Sequence, residues 1–340
     1  MAHRLNIDEK TGKARMFYIK AEGKPWHGLG TELQGQATAK EAIEAAKLDY
    51  TVEKCPLIAT VPEKGKPVQV NVPGRYVAAV RTDTKDVLGI VGDGYKVVQN
   101  VEAFDFFDTV VGEGQAIYNS AGALDNGSRI WLMAKLPKDM VIAREDIVEK
   151  YLILANSHDG TSALKLFFSP VRVVCHNTLT EALKDAKGGI SIRHSGDITG
   201  KTNEARKVLG ISIKWYNEFE ELCKQLVKVQ MTKGKAEGYF DKMLYGEEID
   251  EKKEESMVLK NRKDDYMYLF EHGKGNDLPS VKGSAWCALN AITEYHDHYK
   301  VIKNETEDPT NRLKSIWFGN AAHIKGKAFE GILQVAGIKQ

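Results

Sequence analysis

Two hydrophobic runs, residues 151–155 and 163–174, flank Asn156-Ser157-His158-Asp159-Gly160, and this arrangement constrains the fold more than any other part of the chain. Both runs are rich in β-branched and aromatic residues, so they read as strands with a face to bury. The Asp-Gly between them supplies the positive backbone dihedral of a short connection, which makes the pair an antiparallel hairpin. Pro170 interrupts the second run. A further strand over 171–174 then leads through Cys175 and His176 to a helix over 177–187, with Asn177 as its cap. Such a strand-to-helix corner leaves backbone amides free for an anion.

The same signals extend in both directions. Thr38-x-x-Glu41 is a capping box that opens a helix over 42–48. Short strands are predicted at 50–53, 57–61, 68–72, 76–81, 87–91 and 95–99, punctuated by Pro62, Pro67, Pro73 and Gly92-Asp93-Gly94. Asn100 is placed to cap a helix in which Val101, Phe104, Phe107 and Val111 share one face. Asp125-Asn126-Gly127 joins strands at 115–121 and 129–136, and another short strand is expected over 190–194. Beyond that point the hydrophobic period becomes helical, with Val208, Ile211, Trp215, Phe219 and Leu222 aligned within 203–229. The stretch 243–258 is interrupted by a mixed acidic and basic run over 247–255, which reads as a solvated loop or an exposed helix face, and further helices are read at 264–271, 284–299 and 312–335. The expected class is α+β: a twisted antiparallel sheet with packed helices over residues 1–195, followed by a mostly helical region over 196–340.

Charge narrows the function classes. The 340 residues carry 48 Lys and Arg against 47 Asp and Glu, so affinity for nucleic acid has to come from a local patch. One exists between Gly160 and Lys214, where Lys165, Arg172, Lys184, Lys187, Arg193, Lys201, Arg206, Lys207 and Lys214 face only Glu181, Asp185, Asp197 and Glu204. A basic strip at the end of a sheet neutralises phosphates and gains affinity by counterion release. Lys165, Arg172, His176, Asn177, Lys187, Arg193, Lys201 and Arg206 are the candidate nucleic-acid contacts. Tyr118, Trp131, Phe167 and Phe168 are candidates for base stacking on the same strands. Arg172 stands out inside a run suited to burial, so it either faces a groove or pairs with a carboxylate such as Asp159 or Glu181.

Other chemistries find less support. Cys55, Cys175, Cys223 and Cys287 are far apart, without the close ligand pairs of a zinc site, and read as reduced thiols. Cys175 and His176 are adjacent on a strand and point to opposite faces, against a thiolate–imidazole pair. Asn156, His158 and Asp159 mark a candidate site turn, with Asp159 either orienting His158 as a base or stabilising the turn. His296 and His298 lie two apart in a helix and are expected on the surface. Gly92-x-Gly94 lacks the third glycine of a dinucleotide fingerprint. No catalytic residue, metal or cofactor is therefore assigned. No apolar run approaches the length of a membrane span and the N-terminus has no apolar signal core, which points to the cytoplasm and to no membrane partner.

Five stretches together carry a family likeness: Pro25-Trp26-His27-Gly28-Leu29-Gly30, residues 92–100, Asn156-Ser157-His158-Asp159-Gly160, residues 170–179, and Trp317-Phe318-Gly319. On these the chain resembles the phage/plasmid-like proteins grouped as a domain of unknown function. The resemblance implies a mobile element in a bacterial host and no particular activity. A likeness in outline to phage single-strand-annealing recombinases, which set helices on a small antiparallel sheet and assemble as rings, is fold-level analogy. The reading favoured by the residues is a protein of DNA metabolism that binds single-stranded DNA, with annealing and a homo-oligomer both compatible with that role. Two alternatives stay open: an enzyme using His158, Asp159 and Cys175 in a sheet–helix cleft, and a module that binds a host protein through its helical tail.

Overall fold

The computed structural model describes residues 15–19, 30–35, 37–111, 117–172, 177–178, 189–194, 202–246, 256–305 and 310–338. The first part of the chain contains β1 (Met16–Ile19), β2 (Thr31–Leu33), α1 (Ala39–Ala46), β3 (Val52–Pro56), β4 (Ile58–Glu63), β5 (Lys66–Asn71), β6 (Tyr76–Arg81), β7 (Val87–Gly92) and α2 (Asn100–Val111). Next come β8 (Ile117–Leu124), β9 (Arg129–Lys135), β10 (Met140–Ala143), β11 (Asp146–Ser157), β12 (Leu164–Arg172), β13 (Asn177–Thr178) and β14 (Gly189–Ile192). The remainder is helical: α3 (Thr202–Lys228), α4 (Lys233–Tyr245), α5 (Met257–His272), α6 (Ala285–Glu294), α7 (Thr310–Phe318) and α8 (Asn320–Val335). This is the expected α+β class. Among the described residues no helix is long and apolar enough to cross a membrane.

The main sheet runs β13-β12-β11-β9-β8-β1-β2, with β10 beside β11 and β14 beside β12. Its pairs are antiparallel except β1 with β2, which is parallel. Two smaller units stand apart from it: the sheet β3-β6-β7 and the hairpin β4-β5.

Register decides which side chains share a face, because directly opposed residues point the same way. Leu132 opposes Leu154, which opposes Leu166, and these three are buried with Phe17, Ile130, Leu152 and Phe168. Against them pack Ala42 and Ala46 of α1, Phe104 and Phe107 of α2, and Tyr216 and Phe219 of α3, in a cluster that continues through Phe240, Tyr266, Trp286 and Phe329 of the later helices. The other sheet face is covered in part by α7, whose Trp317 meets Trp131 edge-on at 5.3 Å beside Met16 and Leu124.

Several local expectations change. Residues 95–99 form no strand: their carbonyls and amides bond to other segments, as described below. Pro170 does not end its strand, because β12 runs through it opposite Lys150. On the far side of β12, β14 pairs only residues 164–167 and β13 only 171–172, so the missing N–H of Pro170 falls where no strand among the described residues needs it. Asn177 lies in β13 opposite Arg172 and not at a helix cap, and the rest of the helix expected over 177–187 lies outside the described residues. Val101 is exposed, and Ala103 and Phe106 join Phe104 and Phe107 inside. The stretch 312–335 is two helices, broken at Gly319, where a Cβ would sit 3.0 Å from the Cα of Ser315.

Candidate functional site

The turn after β11 closes on a buried polar knot. Asp159 accepts from the Thr161 amide at 2.8 Å and from the Ser157 hydroxyl, the local bonding that makes Asp a turn former. Its other oxygen pairs with Arg129 at 3.4 Å. His158 turns the opposite way and is fully buried, with Nε2 2.9 Å from Oδ1 of Asn100 at the start of α2. Asn100 does not cap the helix, since its Oδ1 is turned to His158 and its Nδ2 donates back to the carbonyl of Leu48 at 3.0 Å. Asn156, two residues before His158 and equally buried, donates to the Val98 carbonyl at 3.0 Å.

The irregular segment 95–99 is what these side chains grip. Tyr95 donates its hydroxyl to the Ser157 carbonyl at 2.6 Å, and its ring stacks on His194 at 4.6 Å. His194 meets the Lys96 carbonyl through Nδ1 at 3.2 Å, while the Lys96 amide donates to the His194 carbonyl at 2.9 Å. Gln99 holds both backbone groups of Val52 in β3. The strand-like composition of 95–99 is therefore spent on long-range bonds to three different elements.

A cation lies at the floor of the knot. Arg81 is fully buried in β6, bonds Asp83 at 2.5 and 2.8 Å and the Asn126 carbonyl at 3.1 Å, and covers the ring of Tyr50. Tyr50 in turn donates to the Gly127 carbonyl at 2.8 Å. Gly127 sits at φ +93°, and a Cβ there would be 2.7 Å from Arg81 Nη1, so the Asp-Asn-Gly turn needs its glycine on both counts.

Burial pushes the His158 imidazole down to about 4, with His194 nearby acting in the same direction against a smaller pull from Asp159. His194 is lowered as well, first by burial. Both rings are neutral near pH 7. Burial opposes ionisation of Asp159, but the hydrogen bonds from Ser157 and Thr161 and the charge of Arg129 outweigh it and hold the carboxyl below its ordinary value. His158 and Asp159 thus have separate partners, Asn100 and Arg129, and do not form a base with its orienting carboxylate.

The candidate nucleic-acid contacts divide into groups. Lys165 on β12 opposes Ser191 of β14, two residues from Arg193, and both cations are exposed. Arg172 lies seven residues along β12 from Lys165, about 23 Å in an extended strand. It shares a register position with Asn177 at that end. Arg206 is in the second turn of α3. His176, Lys187 and Lys201, like Cys175, lie outside the described residues. The proposed stacking aromatics Tyr118, Trp131, Phe167 and Phe168 are all buried, at 6%, 4%, 2% and 4% exposure, so they are core residues and offer no face to a base.

Sequence reasoning missed Lys54 and Lys96, two exposed cations on the segments that lead to His194. Lys54 bonds the Asp93 carbonyl at 2.6 Å, and Lys96 is tied to His194, the neighbour of Arg193. No local signal joins position 54 to position 193. Arg81, Tyr50 and Asn100 were missed for the same reason, although Arg81 in the apolar run Tyr76-Val77-Ala78-Ala79-Val80 is a visible oddity. Among the described residues no group of three or more His, Cys, Asp or Glu side chains is arranged to hold a metal ion.

A family model described as Domain of unknown function (DUF932) matches residues 87–317, from β7 to the last turn of α7. No curated protein and no solved structure matches the chain. The match includes the gripping segment, the Asp-Asn-Gly turn, the site turn and His194, while Tyr50 and Arg81 precede it. The chain belongs to the family described as Domain of unknown function (DUF932).

Proposed function

We propose that this chain is a mobile-element protein of DNA metabolism, carried by a phage or plasmid, that binds single-stranded DNA in the cytoplasm of its bacterial host. The observation that supports the reading is a set of exposed cations on neighbouring segments: Arg193 just after β14, Lys165 on the adjoining β12, Lys96 in a segment bonded to the His194 backbone, and Lys54 bonded to the Asp93 carbonyl. Cations on adjoining segments would give a nearly neutral protein a local surface suited to a phosphate backbone. Buried His194, next to Arg193, holds the backbone of Lys96 through both its ring and its carbonyl. Annealing of complementary strands follows if two strands are held at once, which a homo-oligomer supplies.

Fluorescence anisotropy with a labelled oligothymidine, read between about 50 and 200 mM salt, tests the proposal. Four phosphates neutralised on a single strand give a slope of log affinity on log salt of about −3, at roughly −0.7 for each. The double variant Lys165→Glu/Arg193→Glu removes at least two of these contacts, so its slope becomes shallower by about 1.4. No binding at the lowest salt, or a slope unchanged by the double variant, rejects the reading.

A further inference from the structure

Three buried side chains at the knot present lone pairs without a hydrogen-bond partner among the described residues: Asn156 through Oδ1, His158 through Nδ1 and His194 through Nε2. Their exposures are 2%, 0% and 9%. Their other polar atoms settle what these atoms are. Asn100 uses its amide nitrogen on the Leu48 carbonyl, so the atom it turns to His158 is an acceptor. The Nε2 of His158 must therefore carry the proton, which leaves Nδ1 bare. His194 faces the Lys96 carbonyl with Nδ1, so that nitrogen is protonated and Nε2 is bare. Asn156 spends its amide nitrogen on the Val98 carbonyl and keeps Oδ1 bare.

The three anchors are positions 96, 98 and 100 of one segment, and Asn156 and His158 are alternate residues of one strand end. With anchors confined to a five-residue stretch, and with His194 close enough to act electrostatically on His158, the three side chains border the same short segment. Buried polar atoms in native proteins are almost always satisfied, and here there are three acceptors and no donor. A water has two protons and leaves one acceptor wanting. Imidazoles whose second nitrogen donates to an oxygen acceptor, a main-chain carbonyl for His194 and a side-chain amide for His158, are also the arrangement that orients histidine toward a metal.

We propose that His158 Nδ1, His194 Nε2 and Asn156 Oδ1 bind a divalent transition-metal ion of the zinc class. Two neutral imidazoles and an amide oxygen are a nitrogen- and oxygen-donor set for such an ion. The ion clamps the segment after β14 to the end of β11. Spacing hid the set from sequence reasoning, because residues 156 and 158 are far from 194 and the third donor is an amide. The inference is independent of DNA binding, and either can fail alone.

The test uses the full chain labelled with 15N-histidine. Before any addition, His158 should appear as the Nε2–H tautomer and His194 as the Nδ1–H tautomer. One equivalent of Zn2+ after treatment with a chelator should move the bare-nitrogen resonances of these two rings, and Co2+ should give visible d–d absorption. Zn2+ should also raise the melting temperature, an effect that His158→Ala and His194→Ala each abolish. Unmoved ring resonances at stoichiometric Zn2+, as an ordered water alone would leave them, overturn the proposal. So does Zn2+ binding that survives both substitutions.

Discussion

The guanidinium carbon of Arg81 lies 3.7 Å from the ring centroid of Tyr50, with both side chains buried. Arg81 also bonds Asp83 and the Asn126 carbonyl, so one planar group satisfies a carboxylate, a main-chain oxygen and an aromatic face. Lysine cannot reproduce that set, having one compact charge and no plane. Arg81→Lys should cost roughly 2–3 kcal/mol and lower the melting temperature by several degrees, measured by scanning fluorimetry. A melting temperature within a degree of the parent would show that the knot does not depend on this group.

Gly89 of β7 has no room for a side chain. A Cβ there would come within 2.6 Å of the Cα and 2.8 Å of the carbonyl oxygen of Asp159, and a backbone cannot rotate aside. Gly89→Ala should therefore force β7 away from the site turn at a cost of about 1–3 kcal/mol. Gly92, in the same strand, has nothing within 4 Å of its would-be Cβ, so Gly92→Ala is the control and should be nearly silent. Equal urea midpoints for the two variants would contradict the close approach.

Acid stability should depend on His296. This residue is buried in the π-helical stretch Tyr295–Tyr299, with Nε2 2.8 Å from the Tyr266 hydroxyl, and so is not the surface histidine that its spacing implied. Burial, then Lys300, Lys325 and Arg262, pushes its imidazole from 6.5 down to about 3. The unfolded chain binds the proton more readily, so stability falls with decreasing pH between those two values and levels off outside them. From pH 7 to 5 this single group should remove on the order of 2 kcal/mol. In His296→Gln the same pH step should remove less, as read from urea unfolding at each pH. An identical loss in the variant and the parent would assign the acid sensitivity elsewhere.

Signals that act within a few residues were legible. The Thr38–Glu41 box forms both of its bonds, the helix read over 203–229 is Thr202–Lys228, and the turns at 125–127 and 156–160 join the strands assigned to them. What failed depended on distant partners. Residues 95–99 have strand composition, yet the backbone and Tyr95 ring of that segment are bound by Asn156, Ser157 and His194. Asn100 looks like a cap until Leu48 and His158 are brought beside it. Of the candidate site, Asn156, His158 and Asp159 were visible as an unusual polar turn. The atoms that complete their surroundings come from positions 48 to 194, and no periodicity links them.

The knot also sets an order of events during synthesis. Tyr50 waits for a carbonyl 77 residues later, Asn100 for a ring 58 residues later, and the Lys96 carbonyl for an imidazole 98 residues later. Lys314 of α7 reaches back 189 residues to Asp125. Loop closures of that span are entropically costly before any contact rewards them, and they slow folding. While residue 194 is still inside the ribosome, β7, the site turn and the segment between them lack their last fastener. The emerging chain is then a set of hairpins awaiting one another, and its native end state is reached only after most of it has been made.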